Sequence, residues 1–119
     1  MLIKELYQVL DANYEQAFHN YNNEELVKNA ILHFKESNPF KEIMEAYYGQ
    51  DVVCLFEATH SLKEVVELMA FNKIAEISAN LCEVIRYKNT FDDEQISPLM
   101  QELVREYNRT IEYLNELSL

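Results

Sequence analysis

Apolar residues recur at helical spacing along the whole chain. Leu2, Leu6 and Leu10 stand four apart and predict a short amphipathic helix over 2–10. Asn13 followed by Gln16 has the spacing of a capping box and predicts a second short helix to about His19. Asn22 or Asn23 caps a longer helix, with Glu24 and Glu25 in the first turn, where carboxylates oppose the positive end of the helix dipole. Its apolar stripe runs Leu26, Ala30 and Phe34. Asn38-Pro39 reads as a cap plus a first-turn proline, or as a kink in one long helix, and the stripe resumes at Phe40, Ile43 and Tyr47. Gly49 reads as a C-cap glycine followed by a new N-cap at Asp51, opening a helix over 51–69. Asn72 caps the next, with Ile74, Ile77, Leu81, Val84 and Ile85 as its stripe. Thr90 and Asp93 have capping-box spacing and Ser97-Pro98 is a second start signal. The last helix runs to about Leu117, with Leu99, Leu103, Tyr107, Ile111 and Leu114 at helical spacing.

This punctuation predicts four to six helices. A single glycine and two prolines argue against an all-β fold, which needs many turns. Four long amphipathic helices joined by short loops predict an all-α fold, an antiparallel up-down four-helix bundle with short additional N-terminal helices. The length fits one domain over 1–119.

Charge narrows the partners. The formal net charge is −11 and the ten Lys and Arg are scattered, so neither nucleic acid nor an anionic membrane is an expected partner. A solvated acidic surface is one reading of the excess; a protein-binding surface is the other. No run approaches the roughly 18 apolar residues of a membrane-spanning helix. Residues 1–15 lack the basic region, apolar core and small-residue cleavage site of a signal peptide, and a cytoplasmic monomer is expected. In that reducing setting Cys54 and Cys82 read as small buried hydrophobes, and neither has a histidine at helical spacing to make it a nucleophile.

On a helical wheel, Leu55, Ala58, Leu62, Val65 and Met69 of helix 51–69 form the core stripe, and His60 falls nearly opposite, facing solvent. Lys63, Glu57, Glu64 and Glu67 share its face, as do Val53 and Phe56, an apolar pair off the stripe. An exposed apolar pair beside an exposed histidine suggests docking, unless neighbouring helices cover it. Neutral imidazole is a nucleophile near pH 7. Glu57 and His60 match half of a carboxylate di-iron motif, but no second copy exists. His19 and His33 lack catalytic neighbours, and no cysteine–histidine grouping suggests zinc.

The segment Phe56 to Lys63 reads Phe-Glu-Ala-Thr-His-Ser-Leu-Lys. It resembles the signature of bacterial histidine phosphotransfer domains: an alanine near the histidine, then His-x-Leu-Lys, a glycine, and a second glycine or small residue before the next helix. Ala58, His60, Leu62, Lys63 and Ala70 fit or nearly fit. The resemblance extends over most of the chain from Asn22 onward. Asn22 to Asp51 looks like the family's long helix and turn, and Asn72 to Arg86 like the helix after the histidine. It implies a four-helix bundle in which His60 accepts a phosphoryl group and Lys63 balances its charge. The implied partners are response-regulator receiver domains and a hybrid sensor histidine kinase, with exchange between His60 and a receiver aspartate. Magnesium would sit on the receiver, and no cofactor is expected here. Neither ATP binding nor autokinase activity is implied, in keeping with the lack of a glycine-rich loop.

One position departs from the pattern. Glu64 stands where family members usually carry glycine, and Glu67 follows one turn later. A carboxylate about 6 Å from a phosphohistidine repels it by roughly 1–3 kcal/mol at an effective dielectric near 20. Two readings therefore stand: a phosphoryl carrier, or a degenerate adaptor that binds or sequesters a receiver without carrying phosphate. A metal enzyme is a third, with little in the sequence to recommend it.

Overall fold

Seven α-helices and no strand occupy residues 1–117, which are those the computed structural model describes. They are α1 (Ile3–Val9), α2 (Tyr14–Tyr21), α3 (Glu24–Ser37), α4 (Phe40–Tyr48), α5 (Val52–Leu68), α6 (Asn72–Ile85) and α7 (Asp93–Asn115). Residues 118 and 119, the end of the expected domain, lie outside the described residues. Among the described residues no helix is long and apolar enough to cross a membrane.

The helix starts follow local chemistry in three places. Asn13, Asn23 and Asp51 each sit in extended backbone and accept from the N–H three residues on: Gln16 at 3.0 Å, Leu26 at 2.7 Å and Cys54 at 3.0 Å. Each thereby satisfies one of the unpaired donors at a helix start. Asn23 is therefore the cap, while Asn22 turns left-handed (φ 68°) to end α2. Elsewhere the expected caps do not form. Asn72 is the first residue of α6 and Phe71 takes the cap position, because Phe71 is buried in the core at the turn. Asp92 precedes α7 with no side-chain bond, so Thr90 and Asp93 make no capping box. Ser97-Pro98 starts nothing: Pro98 lies inside a continuous α7.

One core joins all seven helices, from Ile3, Leu6 and Tyr7 in α1 to Leu103, Tyr107 and Leu114 in α7. Helix α5 packs against α4 and α6, α6 against α7, α2 against α3 and α5, and α3 against α7. The two short N-terminal helices finish the far end of α5. Its last carbonyls have no helical partner, and three neighbours supply one. Asn20 donates to Leu68 (3.0 Å), Tyr7 to Met69 (2.7 Å) and the Asn13 N–H to Ala70 (3.1 Å). Arg109 of α7 donates in turn to the Val9 carbonyl at 2.6 Å, closing the end of α1.

Several stripes sit differently from the pattern of apolar residues. In α3 the buried residues are Val27, Ile31 and Phe34, while Leu26 is exposed and Ala30 half-buried. In α4 Ala46 is buried and Tyr47 only partly so; in α6 Ile77 and Val84, and in α7 Leu99 and Ile111, are partly buried, with Ser78 and Thr110 in the core. Cys54 is exposed, contrary to expectation, and only Cys82 is buried. In α5 the core line is Val52, Leu55, Thr59, Leu62, Val66 and Met69. Ala58 is half-buried and Val65 exposed. At about 100° per residue this rotates the buried face roughly 50° towards His60. Apolarity alone misplaces the stripe because Thr59, carrying a hydroxyl, is fully buried between the neighbouring helices.

Candidate functional site at His60

His60 sits in the middle of α5, held there by the helix that Asp51 caps. With the core face rotated, it lies roughly 130° from the centre of that face rather than directly opposite it, and its side chain keeps 41% of its exposure. The imidazole lies beside the Phe56 ring, centroid to centroid 5.7 Å and tilted by 31°. For Phe56 the covered alternative holds. It is half-buried, packed against the core, with the guanidinium of Arg86 5.9 Å above its ring. Val53, by contrast, is 61% exposed.

The groove into which His60 opens has a volume of about 410 Å³ and lies between the start of α5 and the end of α6. Val53, Phe56, Glu57 and His60 form one wall; Arg86, Tyr87 and Lys88 form the other. Tyr87 adopts a left-handed backbone (φ 61°) and is 92% exposed. The groove thus carries apolar surface at Val53 and Tyr87 and two cations, Arg86 and Lys88, from the segment just after α6.

Ion pairs tie down most of the charges here. Oε1 of Glu64 lies 3.3 Å from Nδ1 of His60. Lys63 is largely covered (26% exposed) and its Nζ lies 3.5 Å from Glu67. Arg86 pairs with Glu83 at 3.3 Å, and its guanidinium also lies over the Tyr87 ring. The charges of Lys63 and Arg86, and of their partners Glu67 and Glu83, all act on the buried thiol of Cys82. Burial outweighs the cations and pushes the Cys82 thiol up, which keeps it protonated and unreactive. The exposed Cys54 thiol is also pushed up, by its hydrogen bond to Asp51 and by that carboxylate's charge.

The structure therefore brings together His60, Lys63, Val53, Phe56, Glu57, Glu64 and Glu67 on one side of α5. It adds Arg86, Tyr87 and Lys88, which the sequence reading did not single out. The run Arg-Tyr-Lys directly after a predicted helix was the available signal. A larger groove of about 590 Å³ between α4 and α5 carries the carboxylates of Glu42, Glu45, Asp51 and Glu57 and offers no cation or histidine. Among the described residues no group of three or more His, Cys, Asp or Glu is placed to hold a metal ion. No family model, curated protein or solved structure matches the chain.

Proposed function

We propose that this chain is a histidine phosphotransfer domain that carries a phosphoryl group on His60 in exchange with the aspartate of receiver domains. The observation that carries the reading is an accessible imidazole that opens, with Arg86 and Lys88, into an apolar-rimmed groove. An imidazole nitrogen supplies the nucleophile. A phosphoryl group brings a charge of roughly −2, and Lys63 and Arg86 offset part of it. Val53, Phe56 and Tyr87 give the receiver an apolar surface to dock on, bordered by Glu57, Glu64 and Glu67. In this reading α3 with α4, α5, α6 and α7 are the four staves of an antiparallel up-down bundle. The packing of α4 on α5, α5 on α6, α6 on α7 and α7 on α3 supports that ring. Magnesium and the acidic residues that activate phosphate belong to the receiver. The proposed setting is a monomer in the cytoplasm, between a hybrid sensor histidine kinase and a response regulator.

A second reading is favoured by one specific feature. Glu64 faces the imidazole and Glu67 engages Lys63, so an incoming phosphoryl group meets two carboxylates. An adaptor that binds receivers without accepting phosphate would tolerate both.

Transfer from a panel of phosphorylated receiver domains decides between them, with His60→Gln alongside. The carrier takes up acid-labile, alkali-stable label that His60→Gln does not. Binding without transfer sinks the carrier and leaves the adaptor; neither binding nor transfer removes both.

A further inference from the structure

The groove beside His60 has the make-up of a small-molecule site. Its volume, about 410 Å³, falls in the range of roughly 300–1,000 Å³ that such sites occupy. Val52, Val53, Phe56, Ile85 and Tyr87 make most of its lining apolar, Phe56 and Tyr87 as aromatic rings. Its polar groups are few, and cations lead them. Arg86 and Lys88 stand across from the one lining carboxylate, Glu57, with His60 on the same wall as Glu57. On a chain of net charge −11 that balance is unusual. The α4–α5 groove has carboxylates alone as its charged groups, and the groove between α6 and α7 sets Lys73 and Arg105 against Glu76, Glu102 and Glu106.

Both cations have donors to spare. Among the described residues Lys88 pairs with no carboxylate, and Arg86 pairs only with Glu83, which is not part of the groove lining. The Arg86 Nε is buried with no hydrogen-bond partner, so the folded chain leaves this guanidinium part-used. The guanidinium is held 5.9 Å from the centres of both the Phe56 and the Tyr87 rings. Tyr87 is 92% exposed and has a left-handed φ of 61°, which strains a bulky side chain. That bend keeps an open aromatic face at the groove, beside the cations.

We infer that this groove is a binding site for a small aromatic anion, its charged end on Arg86 and Lys88 and its ring on Val53 and Tyr87. The charged end gains charge-assisted hydrogen bonds from both cations. The ring takes exposed apolar surface out of water. Glu57 repels the charged end from the α5 wall and so orients the ligand. Bound there, the ligand covers Val53 and Tyr87, the surface offered above to a receiver. That consequence rests on the carrier reading; the binding does not.

The probe is phenylphosphonate, titrated into the full chain labelled with nitrogen-15 and followed through the amide shifts. Methylphosphonate keeps the anion without the ring, and benzyl alcohol keeps the ring without the charge. Phenylphosphonate is expected to move the Val53, Phe56, Tyr87 and Lys88 amides saturably, and to bind at least about tenfold more tightly than either control. Arg86→Gln and Tyr87→Ala each weaken it about three- to tenfold, while Glu57→Gln tightens it about two- to threefold. Circular dichroism checks that the variants keep their helices. Saturable shifts elsewhere on the chain, or none, overturn the proposal. So does a control that binds as tightly as phenylphosphonate, because the groove then reads charge alone or apolar surface alone. Weaker binding by Glu57→Gln also overturns it. No receiver enters the titration, so its failure leaves the carrier reading standing, and failure of phosphoryl transfer leaves this site standing.

Discussion

The phenol of Tyr7 donates to the main-chain carbonyl of Met69 at 2.7 Å, joining α1 to the end of the helix that carries His60. Both residues are closed to solvent. Tyr7→Phe keeps the ring but leaves a buried carbonyl without its donor, which costs about 1–2 kcal/mol; urea unfolding at pH 7 measures it. Burial, with Tyr21 and Tyr14 nearby, holds the Tyr7 hydroxyl well above the ordinary phenol range. The folded state therefore keeps this proton where the unfolded chain gives it up. The associated stability is fully present below about pH 10 and is lost as pH rises further. The wild type accordingly loses stability above pH 10 more steeply than Tyr7→Phe, and parallel alkaline profiles would contradict the assignment.

Gln50 pays for the turn between α4 and α5. Its φ is 52°, a left-handed conformation, while Gly49 beside it has an ordinary φ of −77°. The glycine thus stands one residue before the position whose backbone asks for it. Gln50 is exposed and accepts no bond through its side chain that the turn requires. Gln50→Gly should raise stability by about 0.5–1 kcal/mol, relief of left-handed strain outweighing the added freedom of the unfolded chain. A thermal scan showing a lower melting temperature would refute this.

That pair also marks how far the sequence could be read. Helix existence was legible because the apolar period is strong and because Asn13, Asn23 and Asp51 act through purely local hydrogen bonds. The Gly49 cap and the Asp51 start were legible too, although the left-handed residue of that turn is Gln50; the Asn72 cap and the Ser97-Pro98 start were misread because each is settled by packing. Phe71 is drawn into the core and takes the cap position, and α7 runs through its proline. The stripes of α3 and α5 shifted for a related reason: Thr59 and Val27 face neighbours, and no count of apolar residues reveals where a neighbour sits. At the site, His60 with Lys63, Glu64 and Glu67 was legible because all lie within two turns of one helix. Arg86, Tyr87 and Lys88 were not, since only the α5–α6 packing brings them to the groove.

Asp51 starts the helix that holds His60, and the Cys54 N–H, with the Cys54 thiol, holds its carboxyl below the usual carboxylate range. A depressed folded value means stability that is fully present above the unfolded value of about 3.9 and lost as pH falls through the folded one. Asp51→Ala should lower the melting temperature at pH 7, and the gap to the wild type should close as the pH drops below 4. Asp51→Asn, which can still accept from the Cys54 N–H, should retain most of the stability at pH 7. A gap for Asp51→Ala that persists undiminished into acid would show that the carboxylate's charge and hydrogen bond are not what the helix start uses.

Lys63 and Arg86 give the sharpest functional prediction. Arg86 stands over Phe56, whose ring lies beside His60, while Lys63, about one turn on in α5, pairs with Glu67. If the phosphoryl group resides on His60, each cation should lower the barrier to its arrival. Arg86→Gln and Lys63→Gln should each slow phosphoryl uptake from a phosphorylated receiver about tenfold, equal to about 1.4 kcal/mol, with unchanged helicity. The loss should shrink as salt is raised, because screening weakens the cation in the wild type and does nothing to glutamine. Arg86→Lys separates charge from stacking: it keeps the positive charge but gives up the planar guanidinium that covers the Phe56 ring. Rates restored by lysine assign Arg86 an electrostatic role. Rates that stay low assign it to holding Phe56, and with it the imidazole, in place. A Lys63→Gln variant as fast as the wild type at low salt would remove the charge-balancing role given to Lys63.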